Sequence, residues 1–345
     1  MPDLSTIAAG SILVSLILYA LLGGADFGGG VWDLLGRGPR AEARRLLIAR
    51  AIGPVWETNH IWVIVAVVVL FTAFPQAFAV ISISLFVPVT LMLAGIVLRG
   101  AAFAFHHYQL HEEGGRRWGS IFAGASLLTP MLLGVIIGAV SSGDIGAQTA
   151  AVRGASWAWI APFPLAVGVL TLAVFSFLAA VYLILETDDP ALKEDFRSLA
   201  LRSSGAVAGL LVVVPLLARR GAPDFFHALL GSDWSVGLVF LAASAALGSF
   251  VALLLRTYPL ARACTAAQAA LIIAGWGAAQ YPFIVRPDLT IPAAAAPPAT
   301  LRIILFALAG GAVFLFPSIF ALLRIFKKEA LAGRPGKPPP SYLDG

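Results

Sequence analysis

Residues 161–185 read APFPLAVGVLTLAVFSFLAAVYLIL, a run without a single Asp, Glu, Lys or Arg. An α-helix crosses the hydrocarbon core of a bilayer in about 20 residues, so this run is long enough to span and too apolar to face water. Outward from it, comparable runs fall at about 5–24, 51–73, 77–98, 118–140, 203–218, 235–255, 263–283 and 301–323. With 161–185 they predict nine transmembrane helices and an all-α integral membrane fold. The shortest, 203–218, stops at Arg219 and Arg220, which leaves a count of eight open.

Composition excludes the alternatives. Hydrophobic residues make up 59% of the 345 and charged ones 12%, with a mean hydropathy of +0.91, whereas a soluble domain carries roughly a quarter charged residues. The net charge of +5 does not point to nucleic acid, because Arg and Lys are scattered through short links rather than gathered in one patch. They read as topology signals. A single cysteine, Cys264, excludes an internal disulfide and a Cys-rich zinc or iron–sulfur site. The first ten residues lack the basic start of a cleaved signal peptide, so insertion is expected to begin with the first span.

Placing the N-terminus outside puts 17 Lys and Arg in inner segments and five, Arg153, Arg219, Arg220, Arg286 and Arg302, in outer ones. That asymmetry favours an outer N-terminus and a cytoplasmic C-terminus. The link from Gly24 to Arg50 carries Arg37, Arg40, Arg44, Arg45 and Arg50 among Leu46, Leu47 and Ile48, which predicts an amphipathic helix on the inner leaflet. The proline-rich end, 327–345, reads as a disordered cytoplasmic tail. One faint internal echo pairs Tyr19 to Asp26 with Tyr182 to Asp189.

Charged side chains inside a membrane need a partner or a purpose. Asp26 falls at the inner end of the first run, Glu57 and His60 within the second, and Arg99 at the close of the third. At 1.5 Å per residue, Glu57 sits about 10 Å from the cytoplasmic edge. Glu57 and His60 share a helix face, but a di-iron bundle needs two Glu-x-x-His motifs and further glutamates, which the spans lack. A haem held by two histidines lacks its second: His106, His107 and His111 fall in or beside one loop and His227 in another. The glycines from Gly23 to Gly30 follow a membrane helix rather than a strand, so a phosphate loop fails on context. They read as a flexible exit from the bilayer, with Asp26 as a helix-end carboxylate in water or as a functional acid.

The motifs carry a specific resemblance. Gly24-Ala25-Asp26-Phe27-Gly28, then Gly30-Val31-Trp32-Asp33, then Ile52-Gly53-Pro54-Val55-Trp56-Glu57-Thr58-Asn59-His60-Ile61-Trp62 with Phe71, Phe74 and Pro75, resemble the N-terminal signatures of subunit II of the cytochrome bd-type quinol oxidases. Arg99 and Tyr281-Pro282-Phe283 are also similar. The match is dense over 19–105 and sparse afterwards.

The resemblance implies two four-helix bundles plus one peripheral helix. Residues 1–326 would then be a single polytopic domain, with the first bundle at about 5–140 and the second bundle and peripheral helix at about 161–326. It implies a homologous partner, subunit I, holding haem b and haem d or its b substitute and oxidising quinol, while this chain binds no cofactor alone. A small single-span accessory subunit and membrane lipid complete the implied partners, and the setting is the bacterial inner membrane. Asp26 and Glu57 match acids proposed to line proton uptake, with Arg99 and His60 in support. Trp62 matches a tryptophan near a proposed oxygen route, packing being its alternative role. The competing function is a proton-coupled secondary transporter using Asp26 and Glu57. Its site belongs near mid-membrane, whereas these acids cluster toward one side.

Overall fold

The structure, a computed structural model, describes residues 3–52, 59–108, 113–146 and 157–331. Helix α1 runs Leu4–Leu35, capped by the Asp3 carboxylate, which accepts from the Thr6 N–H at 2.7 Å and satisfies one orphan donor of the first turn. The expected exit at Gly23 to Gly30 does not occur, and the helix continues through all the glycines. A Cβ on Gly28 would strike the backbone carbonyl of Phe175. The glycines therefore let α1 lie directly against a neighbouring helix, the usual service of small residues in lipid.

Helix α2 (Ala41–Ile52) fills the basic link, and α3 (Ile61–Ala73) follows. A turn at His60 precedes α3, so the second apolar run is not one continuous helix. His60 stands at the N-cap of α3, and Glu57 lies outside the described residues. Helices α4 (Pro75–Ser84) and α5 (Phe86–Tyr108) divide the third run. Phe74 and Pro75 break the chain, because proline cannot donate to the preceding turn, and α3 and α4 diverge by 115°. Arg99 lies within α5 rather than at its end, and His106 and His107 belong to its last turn.

Helix α6 (Glu113–Ser142) precedes a short 3₁₀ turn (Ala158–Ile160) and α7 (Pro162–Ile184). The run 161–185 forms α7, the most enclosed of the described spans: Phe175, Phe177, Leu178, Ala180, Val181 and Ile184 are all buried. It packs against α1, α6 and α8 (Pro190–Gly221). An apolar circumference suits that central position. The weakest apolar run, 203–218, is part of α8, one of the longest helices. Its start is set by Pro190 and by Asp189, whose carboxylate accepts from the Ala191 N–H at 2.8 Å. Asp189 is thus an exposed cap while Asp26 is buried mid-helix, so the Tyr-to-Asp echo does not extend to equivalent sites.

Helices α9 (Pro223–Leu230), α10 (Asp233–Leu254) and α11 (Tyr258–Gln280) lead to a hairpin of β1 (Phe283–Val285) and β2 (Leu289–Thr290), then α12 (Ile291–Ala294). Met1–Ala296 is one compact unit, and a second, Pro297–Gly345, contains α13 (Pro298–Leu331). Residues 327–331 of the expected tail continue this helix, and the remainder lies outside the described residues. Among the described residues six helices are long and apolar enough to cross a membrane, or seven if α3 and α4 form one broken span. The fold is therefore an all-helical multi-pass one whose helices overlap all nine expected runs without establishing nine crossings.

Candidate functional site: a buried carboxylate and arginine

Asp26 projects from the middle of α1 and is 5% exposed, so the reading of a carboxylate in water is overturned. The unbroken helix holds it among the glycines in packed surroundings. Asn59, also 5% exposed, donates from Nδ2 to Asp26 Oδ2. Such a bond is what a buried carboxylate requires, since burying it unpaired is costly.

Arg99 reaches the same region from α5 and is 1% exposed. Its Nε donates to Ser126 Oγ on α6 at 3.2 Å, and its guanidinium lies over the rings of Phe27 at 4.6 Å and Phe122 at 5.1 Å. Arg99 and Asp26 interact through their charges, but they are not among the direct ion pairs of the described residues. Nη2 of Arg99 finds no hydrogen-bond partner among the described residues. The cation is therefore held partly by aromatic faces.

The Nδ1 of His60 lies 3.4 Å from Tyr19 Oη, and its ring is 6.0 Å from the rings of Tyr19 and Phe27. Trp62 is buried in the first turn of α3. Among the described residues no group of three His, Cys, Asp or Glu side chains could hold a metal. Of the five residues singled out in the sequence, Asp26, Arg99 and His60 converge around Phe27, Trp62 is placed on α3, and Glu57 is outside the described residues. Asn59, Tyr19, Phe27, Phe122 and Ser126 were missed as site residues. Asn59 carried a signal, since a polar amide beside an acid and a histidine in an apolar context needs a partner.

These helices and the enclosed charge cluster define a multi-pass membrane protein with a polar site sealed among its spans. Residues 4–326 match the family of cytochrome bd terminal oxidase subunit II, and the chain belongs to that family. It is accordingly a subunit of a cytochrome bd quinol oxidase, an oxidoreductase. The chain is 23% identical over 327 residues to the candidate cytochrome bd menaquinol oxidase subunit II of Bacillus subtilis, covering 91% of this chain and 93% of that one. To the cytochrome bd-I ubiquinol oxidase subunit 2 of Escherichia coli it is 29% identical over 209 residues, 58% of this chain and 52% of that one. The solved bd oxidase of Geobacillus thermodenitrificans superposes with a TM-score of 0.78 at 22% identity, over 94% of this chain and 98% of the matched one. That likeness bears out the all-helical fold.

Proposed function

We propose that this chain supports assembly with a homologous haem-bearing subunit I and delivers cytoplasmic protons toward the haem site there. The observation that carries this reading is the Asp26 carboxylate, buried, hydrogen-bonded to Asn59 and within the field of Arg99. Reducing oxygen to water consumes protons, and the haems in subunit I would supply the electrons drawn from quinol. This chain's part is protonic. Asp26 holds a proton on its carboxylate, Asn59 orients that carboxylate, and Arg99 offsets the negative charge left when the proton departs. Glu57, two positions before Asn59 in the sequence, is the next carrier. Tyr19 and His60 border the path.

The reading keeps the outer N-terminus and the cytoplasmic C-terminus in the bacterial inner membrane, the two four-helix bundles with a peripheral helix, and a place for a small accessory subunit. Membership in the family does not favour the transporter alternative. The test is oxygen consumption with quinol by the assembled complex. Glu57→Gln should slow it at least tenfold, a barrier increase of about 1.4 kcal/mol. Asp26→Asn should slow it comparably, because bulk water does not reach a carboxylate so enclosed. Full turnover by an assembled Asp26→Asn/Glu57→Gln double variant would overturn the proton path.

A further inference from the structure

Helix α2 is held from both sides by carboxylates of other helices. Arg40, just before it, donates to Asp195 on α8 through Nε at 2.9 Å and Nη2 at 2.6 Å, the two-pronged geometry that a planar guanidinium allows. Arg44 approaches the same carboxylate at 3.8 Å and donates to the Arg37 carbonyl at 2.5 Å. Arg45 donates to Asp33 at 2.6 Å, and Asp33 lies in the last turns of α1, seven residues or about 10 Å along the helix from Asp26. The carboxylates are shielded, 15% exposed at Asp195 and 14% at Asp33. These arginines are thus spent on protein carboxylates, not on the lipid headgroups that an interfacial helix would seek.

Helix α2 has little else to fix it. Among its described side chains only Ile48 is buried, and Leu46 is half exposed. The inner half of α1, where Gly23, Gly24, Gly28, Gly29 and Gly30 lie, is seated on α7 by Phe27 stacked on Phe175 and by Trp32, whose Nε1 donates to the Ser176 carbonyl at 2.8 Å, and the Arg45–Asp33 pair adds a tie just beyond Trp32. The placement of Asp26 against Asn59 depends on that seating.

We propose that Asp195, on a helix remote from the Asp26 site in sequence, is a positioning residue for that site. It fixes α2 through Arg40 and Arg44, and α2 fixes the inner end of α1 through Arg45 and Asp33. This rests on the proton-delivery reading, because it assigns the strap to the helix that carries Asp26. A chain of contacts alone does not demonstrate coupling, so the test is a mutant cycle.

In the complete oxidase, Asp195→Asn should lower kcat for oxygen consumption about fivefold, with KM for quinol and haem content unchanged. Arg40→Gln should do the same, the double variant should be no slower than either single one, and Asp195→Glu should restore most of the rate. Added to Asp26→Asn, Asp195→Asn should cause no further loss. Normal kcat in both Asp195→Asn and Arg40→Gln would overturn the proposal while leaving proton delivery standing. An independent, multiplying loss on the Asp26→Asn background would overturn it too. If Asp195→Asn sheds haem or its partner, the more exposed Arg40→Gln decides, with an unchanged rate counting against the proposal. Full turnover by Asp26→Asn would instead remove the proton-delivery reading, and the positioning role with it.

Discussion

Asn59 donates its side-chain amide to the carboxylate of Asp26, joining the residue just before the turn into α3 to the C-terminal half of α1. Both groups are almost fully enclosed, so each answers the other's need for a partner where water is scarce.

Asn59→Leu should leave the Asp26 carboxylate without this donor while filling similar space. A buried acceptor left unsatisfied costs about 1–3 kcal/mol, so the purified complex should melt several degrees lower. If the amide also orients the proton carrier, oxygen consumption should fall about threefold to tenfold. An oxygen electrode and a thermal unfolding scan measure the two effects separately. Unchanged values in both would remove Asn59 from the site.

Close approach of α1 to α7 makes a second prediction. Gly28→Ala places a methyl against the Phe175 carbonyl, a backbone atom that cannot step aside, and overpacking of this kind costs about 1–3 kcal/mol. Gly10→Ala meets nothing within 4 Å and should be neutral or slightly stabilising, since alanine is the better helix former. The yield of intact complex in detergent by size exclusion should fall for the first variant and not for the second.

Orientation is open to a direct measurement. From the distribution of Lys and Arg, reporter fusions after Gly143 and after Leu289 should read as periplasmic, and one after Lys328 as cytoplasmic. A cytoplasmic signal at Gly143 would require a different number of crossings before it.

Haem content of the isolated chain gives a fourth outcome. The haems are expected in subunit I, and His60 has no second histidine within an apolar run of the sequence to complete a bis-histidine pair, so the chain purified free of its partner should bind no stoichiometric haem. One equivalent of haem, lost on His60→Ala, would place a redox centre in this subunit after all. An absorption spectrum of the two preparations is sufficient.

The sequence by itself determined the class of the molecule. Runs such as 161–185 have no stable place except lipid or a helical core, and apolarity over that length is a property of composition that no tertiary arrangement can reverse. The short motifs around Asp26 and Asn59 likewise carry the family's signature in the sequence alone, because their residues are contiguous. What only the tertiary structure decided was where helices stop and who meets whom. The glycines from Gly23 to Gly30 read locally as a break, since glycine is a poor helix former, but a surface shaped by Phe175 and Ser126 keeps them helical. The run 203–218 looked marginal by apolar length and proved to lie inside a longer helix, because the polar N-terminal turns of that helix, with Asp195 and Arg197, are held by ion pairs. The pairing of Asp26 with Asn59 and the strap from Asp195 to Asp33 join residues far apart in the chain. Periodicity and spacing report only local neighbours, so these contacts could be seen only once the helices were packed.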